Sequence, residues 1–352
     1  MAELRGALLG CGQVSQYHLR AWAQIEGVRI VALYNRTRDK AEARAREFSI
    51  PGDHVHTNYR ELLARETLDF VDVASAPQAH RPQVEAAAAY GLHVLCQKPL
   101  ALSLEDTQAM IEACDRARVL FAANENWRWR AWYRELKKLL DQRTIGQVHY
   151  ARFVKHRNIT LPGTEGGLPV LAREQPYTTD LEKLIVLEWG THLVDVVRFL
   201  FGEIRSAYAR LKKVSLYFKG EDRALIVLDV KGVDVLLDLS WATLDEQIHE
   251  TGPDTQLEQV IVEGDEGTIT LSPKQSDPLR ISIRDHSWTP PRIWTSGKMA
   301  YQDSYTAAHR HFIECLRTGM TPETVAHDNL KTLQATFAVY ESAAKNQVIH
   351  LA

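Results

Sequence analysis

Apolar positions fall into two different rhythms along the chain. From Leu4 to about Ala123, short, mostly apolar runs alternate with segments spaced for helices. Leu4 to Gly10 (LRGALLG), Val28 to Tyr34 (VRIVALY), Asp69 to Ala74 (DFVDVA), His93 to Cys96 (HVLC) and Val119 to Ala123 have the length and β-branched content of buried strands. Between them, Gln13 to Ile25, the Ala- and Glu-rich Lys40 to Phe48, Gln83 to Tyr90 and a segment from Ser103 to about Arg118 predict helices. Ser103 followed by Asp106 has the form of a helix N-cap with an acid in the first turn. Strands alternating with helices at this spacing predict βαβ units and a parallel sheet.

After about Ala123 the rhythm changes. A helix from Arg130 to Leu140 is followed by Val148 to Lys155, which alternates like a half-buried strand. Arg157 to Thr179 carries Pro162, Gly163, Gly166, Gly167, Pro169 and Pro176, the punctuation of a functional loop or linker. Gly190 to Leu200 reads as a helix. Longer strands follow at Ala224 to Lys231 and Val233 to Trp241, with Lys231-Gly232 as a tight turn, then Leu257 to Glu263, Thr268 to Leu271 and Leu279 to Arg284. These predict an antiparallel sheet, closed by helices from about Ser304 to Thr318 and Glu323 to Ala344. The fold class is therefore α/β, with a Rossmann-type parallel domain over residues 1–124 and an α+β domain over 125–352 built on a large, mostly antiparallel open sheet. The closing helices are placed to pack back on the first domain.

Charge and composition remove several alternatives. Forty-two basic against forty-five acidic side chains leave −3, no footprint for a nucleic acid or an anionic membrane. No run approaches the ~18 apolar residues of a spanning helix, and no signal peptide is visible, so the expected compartment is the cytoplasm. The four cysteines share no C-x-x-C spacing, and the pairs His54/His56 and His309/His311 lack a third ligand nearby; no metal is expected.

Five motifs carry chemistry. Gly10-Cys11-Gly12-Gln13-Val14-Ser15 follows a strand and opens a helix, the context of a dinucleotide fingerprint. Gly10 permits the turn, Gly12 admits the pyrophosphate, and the helix N-terminus meets its charge. Ser15 stands where a glycine or alanine is usual. The second strand ends in Tyr34-Asn35-Arg36 without the ribose-binding carboxylate, which favours NADP over NAD, with Arg36 as the fork for a 2′-phosphate. Gln97-Lys98-Pro99 lies beyond a parallel strand, where open α/β sheets bind ligands. Glu188, His192 and Asp195 are spaced to share one stripe of a helix, a set suited to acid–base work. The segment Asn126 to Arg134 interleaves basic and aromatic residues as a single-strand-binding surface does, but the near-neutral charge favours an amphipathic helix beside a substrate pocket. Tyr133 and Lys137 match the spacing of the short-chain dehydrogenase pair, but that family's glycine loop is absent.

Together, GCGQVSQYH, APQAHRPQVEAAAAYGLHVLCQKPLA, EWGTHLVDVVRFLFG and HFIECLRTGMTPETVAHDNLKTLQATFAVYESA resemble the Gfo/Idh/MocA oxidoreductases, named for glucose–fructose oxidoreductase and inositol dehydrogenase. The resemblance covers nearly the whole chain. It implies NAD(P)-dependent hydride transfer on a sugar, polyol or similar ring, and a homodimer or homotetramer. It places the catalytic lysine at Lys98, with a cis Lys98–Pro99 bond, and the catalytic histidine at His192. The family's Asp before the histidine is Glu188 here, and its Glu-Lys-Pro is Gln97-Lys98-Pro99. The resemblance further implies cofactor contacts from Gly10, Gly12, Gln13, Val14, Asn35, Arg36, Ser75, Pro77, His80, Gln97 and Lys98. Substrate contacts fall to Trp127, Arg128, Tyr177 and Asp195. An enzyme that oxidises and re-reduces its substrate on a retained cofactor, and a non-catalytic dinucleotide sensor, are the competing readings.

Overall fold

Each short apolar run of the N-terminal half forms a strand in the computed structural model, which describes residues 3–163, 166–244, 257–271, 279–285, 292–296 and 301–351. In chain order the elements are β1 (Leu4–Leu9), α1 (Ser15–Trp22), β2 (Val28–Tyr34), α2 (Arg38–Glu47), β3 (Val55–His56), α3 (Tyr59–Arg65), β4 (Phe70–Val73), α4 (His80–Ala89), β5 (His93–Gln97), α5 (Leu104–Ala117) and β6 (Phe121–Asn124). The strands make one parallel sheet in the order β3-β2-β1-β4-β5-β6. The order reverses between β1 and β4, which opens a crevice beyond their carboxyl ends. Ser103 accepts from the Asp106 N–H and starts α5, as its sequence signature predicts. The two-residue β3 and helix α3 carry no long apolar run and are additions to the predicted order.

The second rhythm gives α6 (Ala131–Asp141), β7 (Val148–His156), α7 (Val170–Glu174), α8 (Thr191–Phe201), β8 (Ser206–Lys212), β9 (Arg223–Val230), β10 (Val233–Ser240), β11 (Leu257–Gly264), β12 (Gly267–Leu271), β13 (Leu279–Asp285) and β14 (Arg292–Ser296). The chain closes with α9 (Tyr301–Thr318), α10 (Ala326–Lys345) and β15 (Ile349–His350). Nine strands form a sheet in the order β14-β13-β12-β11-β7-β10-β9-β8-β15. It is antiparallel except at β7 and β10, which run parallel at its centre. The β9–β10 hairpin turns through Lys231 (φ 54°) and Gly232 (φ 88°). Positive φ at both positions matches the sheet's twist, and glycine takes the second at no steric cost.

The chain divides into two compact units, 1–129 with 302–333 and 130–301 with 334–352. In the first, Phe312 and Ile313 of α9 join Leu8, Trp22, Leu33 and Phe70 in one buried cluster. Among the described residues no helix is long and apolar enough to cross a membrane.

In the second unit, the inner face of the sheet carries a buried ionic group. Lys155 and Glu258 stand directly opposite on β7 and β11, with Nζ 2.6 Å from Oε2. Arg130 Nη1 donates to the same oxygen at 3.2 Å, and the Tyr133 hydroxyl donates to Oε1 at 2.6 Å. Tyr133 is thus spent on Glu258. Burial alone would raise the Glu258 carboxyl, but Lys155 and Arg130 outweigh it and hold it at about 2. Burial pushes Lys155 down to about 8 despite its partner. Glu258→Gln leaves two cations facing each other in a dry interior, and should cost ~3–5 kcal/mol in denaturant unfolding. The Glu258 contribution is present above its ordinary value of 4.5 and fades as pH falls toward 2. The acid arm of the wild-type stability curve should therefore be steeper than that of Glu258→Gln. Equal arms and a loss below ~1 kcal/mol would mean that the group contributes little.

Candidate active site

The residues singled out from the sequence fall into two sets, one in each unit. In the first unit, Gly10 follows β1 at φ 115°, where a Cβ would lie 2.6 Å from the Ser75 nitrogen and 2.7 Å from the Ala74 carbonyl. Only glycine fits this close approach of the two strand ends. Above Gly12 a Cβ would meet nothing within 4 Å, so the backbone is open to a ligand. The first turn of α1 holds no acidic side chain and no capping side chain, so no negative group of the chain competes there with an anion for the positive end of the helix. Ser15, in the position usually given to glycine, is completely buried. Its hydroxyl donates to the Gly12 carbonyl at 2.5 Å and accepts from Arg44 Nε at 3.1 Å. The departure from the fingerprint is absorbed within the loop itself.

Asn35 accepts from the Cys11 N–H at 3.1 Å and donates to the Thr37 carbonyl at 2.8 Å, tying the glycine loop to the end of β2. Arg36 beside it is exposed. The bare backbone at Gly12, the uncapped helix start and the polar end of β2 fit a dinucleotide. Gln13 is exposed and Val14 half-buried in the same loop.

Lys98 follows β5 and is half-buried, and the Lys98–Pro99 bond is cis. Its N–H donates to Gln97 Oε1 at 2.7 Å. That contact fixes the Gln97 amide, because a backbone N–H needs an oxygen. The amide nitrogen then faces His18 Nε2 at 3.3 Å and donates to its lone pair. The His18 proton is thereby placed on Nδ1, 2.8 Å from Asp72 Oδ2. Trp22 Nε1 donates to the same oxygen at 2.6 Å, and His309 Nε2 lies 3.4 Å away. His18, Asp72 and His309 form a compact His–Asp–His group, and the indole donor on Oδ2 marks it as a hydrogen-bonded network. Complete burial would raise the Asp72 carboxyl, but His18 and His309 overcome it and hold it well below the usual carboxylate range.

His80 is also wholly buried. Its Nδ1 faces the Pro99 and Leu100 carbonyls at 3.1 Å and its Nε2 faces the Ser75 carbonyl at 3.0 Å, bracing the lysine segment from behind. Ser75 donates to Gln83 Oε1 at 2.8 Å, and Pro77 opens a short 3-10 turn before α4. Beyond β6, Trp127 and Arg128 lie in another 3-10 turn, both buried. Arg128 Nη1 donates to the Glu323 carbonyl at 3.1 Å, and its Nη2 lies 3.7 Å from Asp328. The pair His54/His56 shares one carboxylate, with His54 2.9 Å and His56 2.8 Å from Glu66.

In the second unit, Glu188 does not lie on the same α-helix as His192. Val186–Gly190 is a π-turn, and α8 begins at Thr191. A π-turn inserts one residue and rotates what precedes it, a device common at functional sites. The predicted helical stripe is therefore kept by His192 and Asp195, with Glu188 joined to it through the turn. His192 and Asp195 are buried, and Glu188 is half-buried. The start of the π-turn is held by Glu221, whose oxygens accept from the Leu184 and Val186 N–H groups at 3.1 Å. Tyr340 donates to Glu221 Oε1 at 2.7 Å and accepts from the Leu187 N–H at 3.0 Å. Trp189 stacks against Lys155, with Nζ 5.1 Å from the ring centre. Tyr177 is half-exposed and donates its hydroxyl to Gln175 Oε1 at 2.9 Å; partial burial and then the charge of Glu188 raise that hydroxyl above the ordinary tyrosine value.

Sequence reasoning passed over Asp72, His18, Glu125, Lys155 and Glu221. A charge in the middle of DFVDVA is the one local signal, since a carboxylate in a buried strand requires partners.

Comparison with known proteins finds two family models matched in succession along the chain. Residues 4–125 match the model of an oxidoreductase family with an NAD-binding Rossmann fold, and residues 133–270 match the GFO/IDH/MocA C-terminal domain. A D-apiose dehydrogenase of Paraburkholderia graminis is 38% identical across 99% of this chain and 90% of its own. A D-apiose dehydrogenase of Rhizobium rhizogenes is 33% identical across 100% and 98%. The crystal structure of an oxidoreductase from Agrobacterium radiobacter, in complex with NAD+, L-tartaric acid and magnesium, superposes with a TM-score of 0.87 at 30% identity, covering 99% of this chain and 98% of that one.

Proposed function

The chain belongs to the Gfo/Idh/MocA oxidoreductase family, and from that premise we propose that it oxidises a small aldose or polyol, with D-apiose the first candidate, using NADP in preference to NAD. It is an NAD(P)-dependent oxidoreductase. The observation that carries the reading is Lys98 at the carboxyl edge of β5, in the same sheet as the open backbone at Gly12. The sugar is suggested by the two relatives named for D-apiose.

When bound, the nicotinamide ring accepts or returns the hydride. In the oxidation direction His192 takes the proton of the substrate hydroxyl. Imidazole is suited to general-base work because it changes protonation state near neutral pH. The Lys98 ammonium hydrogen-bonds the oxygen as negative charge develops on it, which stabilises the transition state more than the ground state. Glu188 orients the histidine across the π-turn. Asp195, Trp127, Arg128 and Tyr177 hold the remaining hydroxyls. On the cofactor side Gly10, Gly12, Gln13 and Val14 cradle the pyrophosphate, and Asn35 and Arg36 meet the adenosine ribose. Ser75, Pro77, His80 and Gln97 shape and support the nicotinamide end.

The cofactor preference rests on a strand end with no carboxylate to repel a 2′-phosphate and with Arg36 exposed beside it. Fluorescence titration should give tighter binding of NADP than NAD, with Arg36→Ala narrowing the gap. Asn35→Asp keeps the acceptor for the Cys11 N–H and adds a repelling charge, so it should turn the preference toward NAD. Equal affinities in the wild type, or the NAD+ preference that the Agrobacterium structure's ligand would suggest, overturn the claim. For the chemistry, D-apiose and a panel of aldoses and polyols are offered with either cofactor and net nicotinamide absorbance is followed. Lys98→Met should keep the fold, leave cofactor affinity nearly intact because the other cofactor contacts remain, and lose ~100-fold or more in turnover, the scale of one charge-stabilising donor. Near-wild-type turnover would remove Lys98 from the reaction.

A further inference from the structure

Glu125 is completely buried, directly after β6, and the reaction as assigned above makes no use of it. Its place in the sheet is informative. Gln97 of β5 pairs with Asn124 of β6, so the next residues, Lys98 and Glu125, leave adjacent parallel strands at the same level. The charged groups that act on Glu125 are Lys98, from the segment after β5, and Arg128, from the 3-10 turn. Arg128 is also drawn toward Asp328 of α10 and the Glu323 carbonyl. On the side of α9, Asn126 donates to Ser304 at 2.7 Å, a neutral contact.

We propose that Glu125 is a positioning residue of the hydride transfer: its buried carboxylate, leaving β6 at the level where Lys98 leaves β5, is the counter-charge that holds the Lys98 ammonium in place. The inference rests on the role given to Lys98 under the proposed function. An opposite charge favours the ionised form of its neighbour, and the effect is large where water is excluded. Burial pushes the Glu125 carboxyl up to about 7, while Lys98 and Arg128 work to keep it ionised. Glu125 therefore changes state near neutral pH. Above that point Lys98 has a full counter-charge; below it Glu125 is neutral and that support is lost. The turnover of the wild type should show an acid limb in this range.

The test uses the full chain and two independent readouts. Competitive acetylation with acetic anhydride, followed by mass spectrometry of the peptide containing Lys98, reads amine reactivity without any substrate. Glu125→Gln should speed labelling of Lys98 roughly tenfold at a fixed alkaline pH, because loss of the counter-charge enlarges the fraction of neutral, reactive amine. Glu125→Asp, which keeps the charge, should label like the wild type. An unchanged labelling curve in Glu125→Gln overturns the proposal. If that variant does not fold by circular dichroism, Lys98→Met provides the converse measurement. Removing the ammonium should raise the protonated-carboxyl infrared band at neutral pH, and no change in that band overturns the coupling. With substrate, Glu125→Gln should lose roughly tenfold in turnover, reduce the acid limb to the part that protonation of His192 gives on its own, and leave cofactor affinity intact. Altered labelling with unaltered turnover and pH profile would overturn the positioning role. Absence of any dehydrogenase activity in the wild type would instead remove the function on which the role depends, while the labelling would still report the pair.

Discussion

A carboxylate in the middle of a buried strand determines how the first unit is assembled. Asp72 of β4 has no access to water, so its charge must be met by protein. His18 and Trp22 of α1 and His309 of α9 converge on one of its oxygens. Three segments far apart in sequence are thereby fixed around one atom. Breaking such a group costs far more than any one of its hydrogen bonds contributes, because the remainder is left buried and unsatisfied. His18 carries the constraint outward: its second nitrogen receives the Gln97 amide, whose oxygen holds the Lys98 N–H. The lysine thus starts from a backbone position anchored in the unit's interior.

The same device recurs twice among the described residues of the second unit. Glu221 holds the start of the π-turn that carries Glu188, and Glu258 gathers Lys155, Arg130 and Tyr133 on the inner face of the second sheet. Each is a buried acid whose partners come from elements distant in the chain. Such groups contribute little net stability over apolar packing, but a displaced neighbour leaves a charge exposed to a dry medium, which penalises wrong arrangements heavily.

This explains which features were legible in the sequence. Buried parallel strands are continuous apolar runs, and the Lys231-Gly232 turn needs positive φ at both residues; each signal is local. The fingerprint at Gly10 and Gly12 is likewise a local requirement of backbone approach. The parallel pairing of β7 and β10 carries no such mark, because both strands alternate as antiparallel ones do. The π-turn before α8 leaves no trace in the helical period. Asp72 stood in plain view within DFVDVA, but its partners lie 54 and 237 positions away. Glu125 has significance only once β5 and β6 are in register. Local chemistry can be read from the chain, whereas partners brought together by topology cannot.

The return of α9 into the first unit also has a consequence for the order of events during synthesis. His309, Phe312 and Ile313 belong to the interior of a unit whose sheet is complete by Asn124. On the ribosome that sheet emerges with part of its core uncovered and Asp72 short of one neighbour, and stays so while the whole of residues 130–301 is made. The closure of a loop that long is entropically slow, and exposed apolar surface invites association in the interval. The two units therefore mature together, and a ribosome that stalls late releases a nucleotide-binding half that is unfinished although every one of its strands has been translated.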